Sequence, residues 1–199
     1  MNRRTLRRAP LLATLLLAAA CGGQGFDAKA PDVPFIDQYS PAGSGDWYDG
    51  SEYCGPAILA GIARARGQTA GVSDATLVAS LAIVAGTNGE GTTGFGMIAG
   101  LQALGMHTDA NPGIDLDWVD DELTAGHDVI ANGDFYAVPG RENPSLHSGH
   151  YIAITAVGNG WSLYKVTDPA DARVTSMTDV QLQKFVASQP QGGFTISAW

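Results

Sequence analysis

The residues able to do covalent chemistry are few: two cysteines, Cys21 and Cys54, and four histidines, His107, His127, His147 and His150. Cys54 lies in Glu52-Tyr53-Cys54-Gly55-Pro56-Ala57-Ile58-Leu59-Ala60, the run around which the chain is organised. Pro56 suits the first position of a helix, where its missing N–H removes nothing, and Ile58, Leu59 and Ile62 form an apolar stripe that ends at Gly67. That places Cys54 just outside the helix N-terminus, where unpaired N–H groups and the macrodipole favour an anion and so a thiolate. The competing reading is an inert buried cysteine, the commonest fate of a free thiol.

A thiolate nucleophile needs a base, and the base needs an orienting partner. Tyr151–Val157 and Trp161–Thr167 are strand-like runs joined by Gly158-Asn159-Gly160, a hairpin signal. Opposed residues of an antiparallel pair have position numbers of constant sum, and centring the turn on Asn159 sets that sum at 318. His150 then faces Asp168, give or take a residue for a bulge, and becomes the candidate base with Asp168 fixing its tautomer. The same sum pairs His147 with Asp171, which ranks second because Pro169 interrupts the ladder. Asp168 alone would read as an Asp-Pro turn starter. The oxyanion of an acyl-transfer intermediate needs donors, for which the Cys54 N–H and the side-chain amide of Gln38 are candidates. Taken in isolation, Gln38 reads as a surface glutamine. Two histidines and one thiol fall short of a four-ligand zinc site, so no metal or cofactor is expected.

The elements that must position these groups follow from pattern. With 45% hydrophobic and 16% charged residues, the chain is not a disordered one, and its 199 residues suit a single domain after a targeting segment. Arg3, Arg4, Arg7 and Arg8 precede an apolar run from Leu11 to Ala20 too short to span a bilayer, which reads as an export signal over 1–20. Leu17-Ala18-Ala19-Ala20-Cys21-Gly22 resembles the lipobox of bacterial lipoproteins, which implies acylation of Cys21, a tether over 21–32 and a domain over 33–199. The expected location is the bacterial cell envelope, lipid-anchored (the outer membrane in a Gram-negative cell), with a periplasmic or secreted protein as the alternative. Removing 1–20 takes four of the 11 Lys and Arg and none of the 20 Asp and Glu, moving the formal charge from −9 to −13. Nucleic acid is therefore not an expected partner. With Cys21 acylated, Cys54 has no disulfide partner; a Cys21–Cys54 disulfide is the competing account.

Along the domain, Val33–Tyr39 is strand-like, and Ser40–Gly50 is a loop leading to the cysteine. Ser73 caps a second helix to about Val84 that is apolar almost all round and so expected to be buried. Gly86–Gly94 lacks the Gly-Lys-Ser/Thr of a phosphate loop and reads as a flexible loop before a helix at Phe95–Leu104. A helix fits Asp117–Ala125, whose acids do not match the EF-hand spacing, and a strand Asp128–Val138, bent or bulged at Asn132-Gly133. Thr178 with Gln181 forms a capping box for a helix to about Ala187, and Phe194–Ser197 closes the sheet. Helices first and antiparallel strands after them give an α+β fold.

Gln38, Cys54-Gly55-Pro56, Gly149-His150-Tyr151-Ile152-Ala153-Ile154 and Asp168-Pro169, in that order, resemble papain-like cysteine peptidases, and within them cysteine peptidase family 39, the bacteriocin-leader (double-glycine) peptidases. The resemblance spans about 32–199. It implies a papain-like fold, with a helical part bearing the nucleophile packed on a C-terminal antiparallel sheet. It also implies Gln38 in the oxyanion hole, Cys54 as nucleophile, and His150 and Asp168 completing a triad. The bacteriocin-processing members are domains of membrane transporters; this chain shows no transporter, so cleavage after a double glycine is not implied. The expected activity is a thiol hydrolase cleaving peptide bonds through an acyl-thioester, acting as a monomer on peptide or protein substrates. The alternatives are a transglutaminase-like acyltransferase and an inactive envelope-binding lipoprotein.

Overall fold

The computed structural model describes residues 26–27, 29–40, 50–158 and 162–199; the export signal, Cys21, most of the Ser40–Gly50 loop and the Asn159 turn lie outside them. Three helices come first: α1 (Cys54–Ala65), α2 (Asp74–Val84) and α3 (Gly94–Ala103). Two more, α4 (Leu116–Ala125) and α5 (Asp179–Ala187), alternate with the strands. The strands are β1 (Phe26–Asp27), β2 (Thr108–Pro112), β3 (Asp128–Asp134), β4 (Gly149–Gly158), β5 (Leu163–Thr167), β6 (Ser176–Thr178) and β7 (Phe194–Ala198). They form one antiparallel sheet in the order β2-β7-β3-β4-β5-β6, with β1 added to β4.

The sheet is covered on both faces, which extends the expected picture of helices packed on a sheet. Alternation along the strands explains how: Ile130, Tyr151, Ala153 and Ile196 pack with α1, α2 and α3, while Val129, Ala131, Ile152, Ile154 and Val166 pack with α4 and α5. β3, between β7 and β4, is buried along its whole length. Among the described residues, no helix is long and apolar enough to cross a membrane.

Several local expectations are corrected. α1 begins at Cys54 itself, so Pro56 is its third residue and the cysteine occupies the first turn. Val33–Ile36 form no strand; the segment is held through the Gln38 N–H, which donates to the Pro169 carbonyl at 2.9 Å. α2 is not buried all round, since Ile83 is 82% exposed. Within residues 86–93, Asn88 to Gly91 form a tight turn closed by a bridge between its ends, with Asn88 Oδ1 accepting the Glu90 N–H.

β3 has no bulge at Gly133. It runs in register, Gly133 opposite His150, and the missing side chain makes room for Phe185 of α5: a Cβ at Gly133 would meet that ring at 2.5 Å. The β4–β5 hairpin also departs from the expected register. Ala153 faces Thr167 and Ile154 faces Val166, a sum of 320, with an irregularity between Ile154 and Ala156. Continued one step, that register sets Asp168 opposite Ile152. His150 lies two residues away on the same face, so it meets Asp168 diagonally.

Candidate active site

Cys54, buried and free, opens α1, which has no side-chain cap and no acid in its first turn. Gly55 lets this helix end abut α3, because a Cβ there would lie 2.8 Å from both Met97 Sδ and Thr92 Oγ1. His150 is the second residue of β4 and is 1% exposed. Its Nε2 lies 2.8 Å from Asp168 Oδ1, and Cys54 is near enough to act on the same ring, for which Nδ1 is the nitrogen left. The ring is boxed edge-on by Phe135, of the 3-10 helix Phe135–Ala137, at 5.2 Å and by Phe185 at 6.5 Å between centroids.

The electrostatics of the pair follow from that box. Burial alone would pull His150 down, but the Asp168 charge and hydrogen bond, then the Cys54 sulfur, hold it up at about 9. Asp168 is fully buried, which by itself would raise its carboxyl. His150, Arg141 and the Ala170 N–H overcome that and hold it below the ordinary carboxylate value. Asp168 is therefore ionised and His150 protonated at neutral pH.

The structure brings Cys54, His150 and Asp168 together as expected. Gln38 is also buried, and its Nε2 donates to the Gly50 carbonyl at 3.1 Å, with the Ser51 carbonyl at 3.5 Å, so its amide abuts the turn that leads into Cys54. Gly50 is required there: its φ is +67°, and a Cβ would fall 2.0 Å from the Gln38 carbonyl oxygen. His147 does not pair with Asp171. Its Nδ1 lies 2.6 Å from Asp134 Oδ2, while Asp171 is turned to Arg173.

Sequence reasoning missed four contributors: Arg141, Phe135, Phe185 and Tyr39. Tyr39 feels Arg141, Cys54 and Asp168, and its hydroxyl is raised above the usual value, chiefly by burial. The pairing of Gly133 with His150 carried a usable signal for Phe185, since a glycine inside a strand marks close approach. Arg141 carried none, lying 27 residues from Asp168 in a loop.

A cleft of about 880 Å³ runs over Cys54. One wall is the turn of residues 88–94, held by the Tyr151 hydroxyl, which donates to the Thr92 carbonyl at 2.9 Å. Asn111, Asn132, Gln189 and Gln191 offer amides along it, and Phe95, Ile98 and Phe194 offer apolar surface. An extended chain with both backbone polarity and side chains fits such a lining.

The fold, with the cysteine on a helix and the histidine on a facing sheet, is that of C39 peptidase domains. It is similar to the peptidase domain of Streptococcus ComA, a bi-functional ABC transporter involved in a quorum-sensing pathway (22% identity, TM-score 0.54, 80% of this chain and 97% of that one). It is similar to a C39-like peptidase of Bacillus anthracis (12% identity, TM-score 0.59, 84% and 94%). It is also similar to the double-glycine motif protease of an AMS/PCAT transporter, solved with its leader peptide (14% identity, TM-score 0.51, 85% and 93%). No family model matches this chain, and no curated protein does.

Proposed function

We propose that this protein is an exported thiol hydrolase that cleaves peptide bonds, tethered to the cell envelope through an acylated Cys21. The observation that carries the chemistry is the buried His150–Asp168 pair at 2.8 Å, with Cys54 acting on the same ring and lining a peptide-sized cleft. The C39 fold and the leader-peptide complex of the AMS/PCAT protease support a peptide as substrate.

In this reading the Cys54 thiolate, paired with the protonated His150, attacks the carbonyl carbon, forming an S–C bond and moving the carbonyl π pair onto oxygen. The Cys54 N–H stabilises that oxyanion, and the Gln38 amide, exchanging its long 3.5 Å contact to the Ser51 carbonyl for the oxyanion, is assigned as the second donor. Collapse breaks the C–N bond, and the leaving amine takes the proton from His150. Water, giving a proton to the now neutral His150, then attacks the thioester; collapse breaks the S–C bond, releases the acid and restores the Cys54 thiolate beside the protonated His150. Asp168 stays a carboxylate throughout and holds the ring.

The test is hydrolysis of a peptide library by the wild type and by Cys54→Ala. Cleavage confined to the wild type is expected, with an acyl-enzyme mass adduct on Cys54. Hydrolysis that survives Cys54→Ala refutes the reading.

A further inference from the structure

We propose that Arg141 is a positioning residue of this site: it clamps Oδ2 of Asp168, leaves Oδ1 to His150, and sets the pH at which His150 gives up its proton. The proposal deepens the thiol-hydrolase reading and rests on it only for its kinetic consequence.

Both oxygens of Asp168 are engaged. Oδ1 accepts from the Ala170 N–H at 2.9 Å and faces His150 Nε2, while Oδ2 is ion-paired with Arg141 Nη2. The guanidinium carbon lies 4.1 Å from the centroid of Phe135, the same ring that stands edge-on to His150. Arg141, Phe135 and His150 are thus interlocked around one carboxylate. Arg141 sits in the loop after the 3-10 helix, where its N–H donates to the Val138 carbonyl at 3.0 Å. Its Nε is buried with no hydrogen-bond partner among the described residues. A donor left unpaired in the interior is penalised. The carboxylate is what the side chain gains in return.

Two cations then share one anion. A guanidinium is a permanent cation in proteins, and its charge beside Asp168 weakens the hold of that carboxylate on the His150 proton. The groups facing this cluster come from every side: His150 from β4, Arg141 from the 3-10 loop, Tyr39 from the N-terminal segment and Cys54 from α1. Asp171, on the loop after Asp168, also feels Arg141 but is turned to Arg173.

The experiment titrates ring-labelled histidine in the full chain by NMR, with the His150 signal assigned by its loss in His150→Ala. Arg141→Gln removes the charge and keeps a hydrogen-bonding end; the His150 titration is expected to move upward by about one pH unit. Arg141→Lys keeps the charge and is expected to stay within about 0.3 unit of the wild type. Where peptide hydrolysis is measurable, the alkaline limb of its pH profile moves with the titration. A His150 titration unchanged in folded Arg141→Gln overturns the proposal, as does an Arg141→Lys shift larger than half a unit, which decides the matter if the glutamine variant fails to fold. A wild type without Cys54-dependent hydrolysis sinks the peptidase reading and leaves the titration result standing.

Discussion

Gly133→Ala asks one methyl group to enter the space between β3 and α5. The added Cβ would lie 2.5 Å from two ring carbons of Phe185 and 2.5 Å from its carbonyl oxygen. The ring already borders His150, and the carbonyl belongs to α5, so relief of the backbone contact requires the helix to shift. Overpacking of this kind destabilises by ~1–3 kcal/mol, and the backbone contact puts this site at the upper end. Replacing a strand glycine by alanine otherwise gains about 0.5–1 kcal/mol. The net is a loss of about 2 kcal/mol, or roughly 4–8 °C in Tm for a domain of this size. Thermal denaturation reads this directly, and iodoacetamide alkylation of Cys54 below the melting range reports whether His150 has been displaced. Gly89→Ala is the control, since a Cβ there meets nothing within 4 Å and the change should stay within about 0.5 kcal/mol. A Gly133→Ala protein with wild-type Tm and alkylation rate would falsify the claim that this glycine is what seats Phe185 against the histidine.

Two further outcomes follow from the pair and the cleft. His150 is raised from 6.5 to about 9, so its contribution to stability is complete below about pH 6.5 and lost as pH rises through about 9. Asp168 is lowered from 3.8, so its contribution is complete above that value and lost as pH falls through its lowered value in the fold. The excess urea midpoint of the wild type over His150→Ala should therefore be greatest between about pH 4 and 6.5 and shrink toward pH 10; a constant difference from pH 5 to 10 contradicts the buried ion pair. Tyr151→Phe removes the hydroxyl that holds the Thr92 carbonyl at 2.9 Å and should raise the KM for a peptide about five-fold with kcat little changed, at a loss of ~1 kcal/mol. An unchanged KM would show that the turn of residues 88–94 does not form the substrate wall.

The helices were legible because their signals are local. Ser73, Asp115 and Thr178 each accept an N–H of the helix they cap, and the Thr178–Gln181 capping box is formed. β2 and β6 were not legible: Thr108–Pro112 and Ser176–Thr178 are short and polar, without the alternation that marks a strand. The hairpin arithmetic found the right partners with the wrong sum, since a period of two keeps residues of equal parity on one face. The error of two in register therefore turned a direct pairing into a diagonal one without separating His150 from Asp168. Arg141 and Tyr39 reach the site from loops, where sequence offers composition but no direction.

β7 has a consequence for timing. It comes last in sequence among the described strands, yet it lies inside the sheet, between β2 and β3, with β3 pairing β4 at the strand end that carries His150. A polypeptide emerging from its N-terminus presents the thiol of Cys54 early, but the sheet that supports the histidine cannot close until the final strand has been made and inserted. A chain cut before Phe194 therefore carries the sulfur without the strand that completes the sheet beneath the histidine.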